Sequence, residues 1–168
     1  MSSETFTYKG ISAGKYIEGE IEALNQEEAS FKLKEQKINL YTLLNFEMLG
    51  VPFIDRDYEI FLTGYELSNL GGKLNTYTNS TIVGISDVAK KYNLFKRSDN
   101  YSFYKEFKVP SHTISSCDLT NFDFYHHVDD EIDQLDFVFM ATTINKLIPG
   151  ILQICNTDSK EIQMYETN

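Results

Sequence analysis

The sequence predicts an α/β fold of two small α/β subdomains, residues 1–98 and 99–168, with a cleft between them. Residues 6–44 carry a strand–turn–strand–helix–strand pattern, and residues 136–168 carry a strand, an amphipathic helix and a second strand. The chain also holds 11 Tyr and 12 Phe, a composition that suits strands better than a helical bundle. A polar break at residues 97–100 gives the boundary between the two subdomains.

The N-terminal pattern begins with two strands, residues 6–11 and 16–23, in which large and polar residues alternate. Asn25 is a favourable helix N-cap, and the acidic residues after it suit the positive end of the helix dipole. A strand at residues 38–44 follows the helix. The whole segment is therefore a β-β-α-β unit.

The remaining elements are predicted from local patterns and breakers. Pro52 makes residues 51–54 an edge or turn, because proline removes a ladder donor. Pro149 predicts a kink or a later start in the helix that Thr143 opens. The other predictions are a short helix or strand at 58–65, a loop at 68–74, a strand at 81–85, a helix at 86–92, a strand at 101–109, a buried strand at 137–141 and a closing strand at 162–165.

The charge of the chain narrows the choice of partner. The formal net charge is −10, and the acidic excess is larger after residue 100 than before it. An acidic surface repels nucleic-acid phosphates and anionic lipid, so we expect neither as a partner. A basic protein surface is the favoured one. No uniformly apolar run of about 18 residues is present, so the sequence predicts no membrane-spanning segment.

None of the possible chemical motifs is complete, so we expect no catalytic residue, cofactor or metal. Gly71-Gly72-Lys73 lacks the first glycine and the hydroxyl of a phosphate loop and is interpreted as a turn. The histidines at 126–127 could be combined with His112 and Cys117 as zinc ligands, but their spacing matches no recurrent zinc template.

An acidic stretch with neighbouring aromatic residues is the candidate partner-binding surface. Carboxylates would attract a basic partner, and aromatic side chains would supply most of the binding energy. The alternative is that the aromatic residues only fill a core. The candidate residues are Asp129, Asp130, Glu131, Asp133, Phe122, Phe124 and Tyr125.

The N-terminal unit resembles the cytoplasmic segment of the GspF/PilC family of platform proteins of type IV pili and type II secretion systems. The similar residues are Phe6, Tyr8, Gly14, Lys15, Gly19, Ile21, Ala23, Glu28, Ala29, Leu33 and Ile38. That family continues into long amphipathic and transmembrane helices. This sequence departs from it by becoming rich in predicted strands after residue 50.

The C-terminal part resembles the GspL/PilM family, whose members have actin-like cytoplasmic domains. The similar segments are residues 104–110, 137–143, 145–156 and 160–166. The resemblance implies a degenerate actin-like fold without a nucleotide loop, of the kind found in bundle-forming pilus biogenesis.

Together the resemblances imply a non-enzymatic scaffold of a type IV pilus inner-membrane assembly platform. It would dock the GspE-type assembly ATPase and the GspF-type platform protein at the cytoplasmic face of the bacterial inner membrane. It would meet the membrane only through a region outside this chain. Three alternatives stay open. They are the N-terminal domain of a GspF/PilC-type protein, with helices over residues 46–168, an actin-like nucleotide-binding protein or small hydrolase, and a metal-dependent sensor.

Overall fold

The chain folds into an α/β structure with two separate sheets. The computed structural model describes residues 4–12, 15–36, 40–158 and 160–166. The strands are β1 Glu4–Ser12, β2 Lys15–Ala23, β3 Leu43–Phe46, β4 Ile60–Leu62, β5 Val83–Gly84 and β6 Ser111–Ser115. The helices are α1 Gln26–Glu35, α2 Leu70–Thr78, α3 Asp87–Lys91, α4 Asn100–Phe107 and α5 Phe137–Asn156, with single 3-10 turns at Tyr65–Leu67, Leu94–Lys96 and Ile132–Gln134.

The N-terminal hairpin and its helix form as the sequence predicts. Strands β1 and β2 pair antiparallel, and the Tyr8 ring lies over Gly19, where an added Cβ would be only 2.8 Å from the phenol oxygen. Asn25 caps α1, because its Oδ1 accepts the Glu28 N–H at 2.9 Å. The Glu28 carboxylate accepts the Leu24 N–H in return, at 2.8 Å. This reciprocal capping fixes the start of α1.

The second sheet has four strands in the order β3-β6-β4-β5. Strand β6 is parallel to β3 and antiparallel to β4, and β4 is parallel to β5. All five residues of β6 are buried, so this strand is the centre of the domain. Its Ile114 packs in the main core, which also contains Ile60, Leu62, Leu70, Leu74, Ile82, Val83, Leu147 and Ile162.

Helix α5 covers this core by packing on α2. Thr143, Leu147 and Gly150 form its buried face. A Cβ on Gly150 would meet a Thr78 methyl group at 2.9 Å, so the missing side chain lets the two helices approach closely. Among the described residues, α5 is long and apolar enough to cross a membrane, by length and composition alone. The sequence pattern, in contrast, predicts no membrane-spanning segment.

Two predicted strands are wrong, because both segments are helical. Residues 101–109 lie mostly in α4, and residues 137–141 open α5, where the Asp136 carboxylate accepts the Phe139 N–H at 2.8 Å. A short apolar run does not distinguish a buried strand from a helix by periodicity. Here the helix cap at Asp136 favours the helix.

The shorter elements give a mixed result. The loop predicted at 68–74 is wrong, because α2 begins at Leu70. The strand predicted at 162–165 is reduced to one bridge between Met164 and Ser68. The strand at 81–85 and the helix at 86–92 are confirmed as β5 and α3. The strand predicted at 38–44 begins at Leu43, and residues 38–39 of that prediction lie outside the described residues.

The four-stranded sheet contains strands from both sides of the boundary predicted between residues 98 and 99. Strand β6 lies between β3 and β4, so the second half of the chain supplies the central strand to a sheet begun by the first half. The division into two subdomains stays a prediction.

Pro149 lies inside α5 and gives a first testable prediction. Proline has no N–H for the helix ladder and costs about 3 kcal/mol relative to alanine in a helix interior. Because residue 149 is exposed, Pro149→Ala leaves no cavity and should raise the free energy of unfolding in urea by about 1–3 kcal/mol. Ile148→Ala, at a neighbouring exposed position, serves as the control and should change it little. A lower free energy of unfolding for Pro149→Ala than for wild type would contradict a helix α5 that continues through residue 149.

Candidate functional site

A groove of about 560 Å³ lies between the hairpin, β3 and the end of α5. This volume is within the range of about 300–1,000 Å³ typical of ligand pockets. Strand β1 forms one wall, and the segment from Leu40 through β3 forms the other. Apolar side chains predominate in its lining: Phe6, Tyr8, Leu33, Leu44, Ile151 and Ile154. This arrangement suits an apolar or amphipathic occupant.

The outer edge of β3 is open along this groove. Leu43 and Glu47 donate their N–H groups to the carbonyls of Pro110 and Ile114, on the β6 side. In a strand, alternate residues direct their backbone groups to opposite edges, so Thr42, Leu44 and Phe46 face away from β6. All three line the groove, and none of their backbone N–H or C=O groups has a partner among the described residues. The groove thus offers a row of hydrogen-bonding groups at a two-residue spacing.

The charged residues of the groove are mainly acidic. Among the residues that the structure describes, they comprise Glu18, Glu20 and Asp158 against the ammonium of Lys9. Lys9 lies 3.6 Å from the Glu18 carboxylate and 3.4 Å from the Cys155 sulfur, so it connects the hairpin to the end of α5. Glu20 and Asp158 are exposed. The groove therefore has a negative rim around an apolar interior.

The predicted partner-binding residues lie elsewhere, in the long segment between β6 and α5. The acidic members of the set are all exposed, and His127 pairs with Asp129 at 3.1 Å. Phe122 and Phe124 are half-buried in an edge-to-face pair with centroids 5.6 Å apart, and Tyr125 is exposed. None of the seven residues lines the groove. Their role in binding stays a prediction.

Sequence reasoning missed two exposed apolar side chains beside the acidic stretch, and it missed the groove. Val128 is 85% exposed and Ile132 is 70% exposed, so the acidic surface also carries apolar contact area. The apolar residues at 128 and 132 are visible in the sequence, but their exposure is not. The groove brings together residues far apart in the chain, and no local pattern signals it.

A buried serine–histidine pair resembles part of a catalytic triad but has a structural environment. Ser68 Oγ lies 2.7 Å from His112 Nε2, and His112 Nδ1 lies 2.8 Å from the Thr63 carbonyl. A carbonyl only accepts, so Nδ1 carries the proton and Nε2 accepts from the serine. Both side chains are almost fully buried and neither lines the groove. The pair therefore connects β6 to the segment before α2.

Two carboxylates lie after the carboxyl ends of β3 and β6, where ligands often bind in α/β sheets. Glu47 follows β3 and accepts hydrogen bonds from Ser98 Oγ and Asn45 Nδ2, each at 3.0 Å. Asp118 follows β6, is fully buried and accepts the Ser86 hydroxyl at 2.7 Å. Glu47 lines a small cavity of about 30 Å³. Both carboxylates already have protein donors.

The possible zinc and phosphate motifs do not assemble. His112 and Cys117 are buried while residues 126–127 are exposed, and no group of three potential metal ligands occurs among the described residues. Lys73 lies within α2, which corrects the predicted turn, and it pairs with Glu161. This hydrogen bond raises the pKa of Lys73 and lowers the pKa of Glu161. Lys73 thus has a carboxylate as its partner.

Comparison with known proteins shows a likeness of fold. No family model and no curated protein matches the sequence. Two crystal structures of LapA from Legionella pneumophila, one described as an aminopeptidase, are similar to the chain with TM-scores of 0.59 and 0.56 and identities of 18% and 16%. Each alignment covers 79% of this chain. The chain spans about a third of the LapA chains, 35% and 36% of their lengths.

The buried histidine predicts a pH dependence of stability. Burial lowers the pKa of His112, although its hydrogen bond to the Thr63 carbonyl opposes the shift. The pKa of His112 in the folded state lies below its unfolded value of about 6.5. The unfolded state therefore binds more protons than the folded state once the pH falls to about 6.5. The free energy of unfolding should therefore fall between pH 7 and 5, by at most about 1.4 kcal/mol per pH unit from this group.

Urea titrations of two variants test this dependence. His112→Gln should lower stability at pH 7 and flatten its decline towards pH 5, because the titrating group is gone. His126→Asn, at an exposed position with positive φ that asparagine tolerates, should keep the wild-type slope. An H112Q slope equal to that of wild type would show that His112 does not carry the dependence.

Proposed function

We propose that this protein is a non-enzymatic scaffold that binds other polypeptides, and that it belongs to a type IV pilus (type II secretion-like) inner-membrane assembly platform. The main support for a binding role is the groove, because it combines an apolar interior, an open strand edge and an acidic rim. Binding to it needs shape and charge complementarity and no reacting group.

The acidic stretch supplies a second point of support for a basic partner. Its carboxylates are exposed in a chain of net charge −10, and Val128 and Ile132 add apolar area beside them. Charge of one sign on a surface steers an oppositely charged partner towards it and speeds association. Apolar side chains next to it then supply contact area on docking.

The pilus setting rests on the sequence resemblances to the GspF/PilC and GspL/PilM families. In this proposal the chain docks the GspE-type assembly ATPase and the GspF-type platform protein, as the bundle-forming pilus protein BfpC is expected to do. It acts at the cytoplasmic face of the inner membrane, and a region outside this chain makes the membrane contact. The proposal includes two subdomains with a cleft, in a degenerate actin-like arrangement.

The alternatives have less support. A GspF/PilC-type domain would have amphipathic helices where this chain has the sheet of β3, β4, β5 and β6. An actin-like nucleotide-binding protein would need a phosphate loop, and the segment considered for one lies in α2.

A second candidate function is that this chain forms one part of an aminopeptidase. The structural likeness to LapA favours this candidate. The name aminopeptidase belongs to LapA, of which this chain spans about a third. In this case the carboxylates at the carboxyl edge of the sheet, Glu47 and Asp118, would lie nearest to a reacting centre. The remaining groups would come from polypeptide outside the chain.

Replacing the acidic stretch tests the scaffold proposal. The four substitutions Asp129→Ser, Asp130→Ser, Glu131→Ser and Asp133→Ser together should weaken capture of a pilus assembly ATPase about fivefold or more in low salt and flatten its salt dependence. A pull-down at about 0.05 M and 0.5 M salt measures both effects, because exposed charges are screened at the higher concentration.

A charge-matched variant separates local from overall charge. Its substitutions, all at exposed positions, are Glu4→Ser, Asp57→Ser, Asp99→Ser and Glu166→Ser. It should bind nearly as well as wild type. Equal binding by both quadruple variants would remove the acidic stretch from the site, and a wild-type chain that captures neither the ATPase nor the platform protein would refute the scaffold proposal.

Release of p-nitroaniline from leucine p-nitroanilide, with and without added zinc, tests the second candidate. The scaffold proposal predicts no release above that of the Glu47→Gln variant. Zinc-dependent release by wild type that E47Q lacks would favour the aminopeptidase function instead.

A further inference from the structure

We propose that the groove binds its partner as an extended basic strand that adds to the open edge of β3. The inference rests on the proposed binding function and specifies the form of polypeptide that the groove takes. Its basis is the backbone of Thr42, Leu44 and Phe46, three groove-lining residues whose outward N–H and C=O groups have no partner among the described residues.

The spacing of these groups selects a strand over a helix. They repeat every second residue along β3, or about every 6.6 Å. Only an extended chain presents its own N–H and C=O groups at that interval, whereas the backbone groups of a helix are used within the helix. Addition of a strand to a sheet edge is also an established mode of peptide recognition. About seven residues would cover the length from Leu40 to Phe46.

The walls of the groove favour apolar side chains on the added strand. Ile151 and Ile154 at the end of α5 and Phe6 of β1 enclose the space beside β3. Successive side chains of a strand point to opposite faces, so alternate residues would contact these walls. An alternating sequence, apolar at one position and polar at the next, satisfies both sides.

The acidic rim makes basic residues the favoured polar ones. Glu18, Glu20 and Asp158 outnumber Lys9 among the charged lining residues in the described part of the chain, and Lys9 already lies near Glu18 and Cys155. Exposed Glu20 and Asp158 are placed to attract lysine or arginine side chains of the occupant. A second copy of this chain suits the rim less, because its net charge is −10.

A synthetic peptide tests the strand register without altering the protein. The probe is fluorescein-labelled Lys-Val-Lys-Val-Thr-Val-Lys with a C-terminal amide, and fluorescence anisotropy measures its dissociation constant. Two modified forms carry three N-methyl groups each. In one form they are on the three valines, and in the other they are on the three residues that directly follow the valines. N-methylation removes donors along one edge only, so one form should lose at least about tenfold in affinity and the other about threefold or less.

The outcomes decide between strand addition and other modes. Equal loss in both methylated forms, or no binding of the unmodified peptide, overturns the proposal. A peptide with glutamate in place of lysine should bind at least about fivefold more weakly in low salt, since it meets the acidic rim. Concentration-dependent dimers that the peptide fails to dissociate would show that a second copy occupies the edge, which also overturns it.

A pair of protein variants separates this inference from the scaffold proposal. Phe46→Pro removes one outward N–H at a sheet edge, where proline is tolerated, and Phe46→Ala removes the ring but keeps the N–H. Phe46→Pro should weaken peptide binding and partner capture more than Phe46→Ala does. Equal effects overturn strand addition while capture by wild type keeps the scaffold. Register-dependent peptide binding without capture of either pilus protein keeps the strand site and removes the pilus role.

Discussion

The polar side chains of the fully buried strand β6 require hydrogen-bond partners, and meeting that requirement fixes the elements around it. The Thr113 hydroxyl donates to Asn100 Oδ1 at 2.8 Å and accepts from Asn45 Nδ2 at 3.1 Å, so it connects α4 and β3 to the central strand. His112 does the same for the chain after β4 and before α2. A buried polar group without a partner costs about 1–3 kcal/mol, so a displaced element would be penalised at several points at once.

This constraint also produces the groove. Because β6 takes the central place, β3 becomes the outer strand, and its other edge has no paired strand among the residues that the structure describes. The hairpin and α1 pack through Ile21 and Leu33 on Phe103 of α4, in a separate core, and not as a further strand on β3. The space between β1 and β3 is the groove. Edge strands of this kind are usually blocked, because an open edge can pair with another chain, and the proposed binding role rests on this open edge beside the apolar groove.

The sequence predicts the elements whose ends carry clear caps and turns. The hairpin, the Asn25 cap of α1 and the Ser86 cap of α3 are examples, and Ser86 accepts the Ala89 N–H at 3.0 Å as a cap should. Prediction from the sequence fails where the type of an element depends on its burial in the folded protein. The polar strand β6 resembles a loop in composition, and the apolar start of α5 resembles a buried strand. The groove depends on which strand occupies the centre of the sheet, which no local pattern records.

Amide hydrogen exchange, resolved residue by residue by NMR, tests most directly whether the edge of β3 is open for binding. We expect rapid exchange at Leu44 and Phe46 in the free protein and slower exchange at Leu43 and Asn45, which face β6. Addition of the basic alternating peptide should protect Leu44 and Phe46 and leave the other two unchanged. Strong protection of Leu44 and Phe46 before any peptide is added would show that the edge is already paired, and would contradict an edge of β3 that is open for binding.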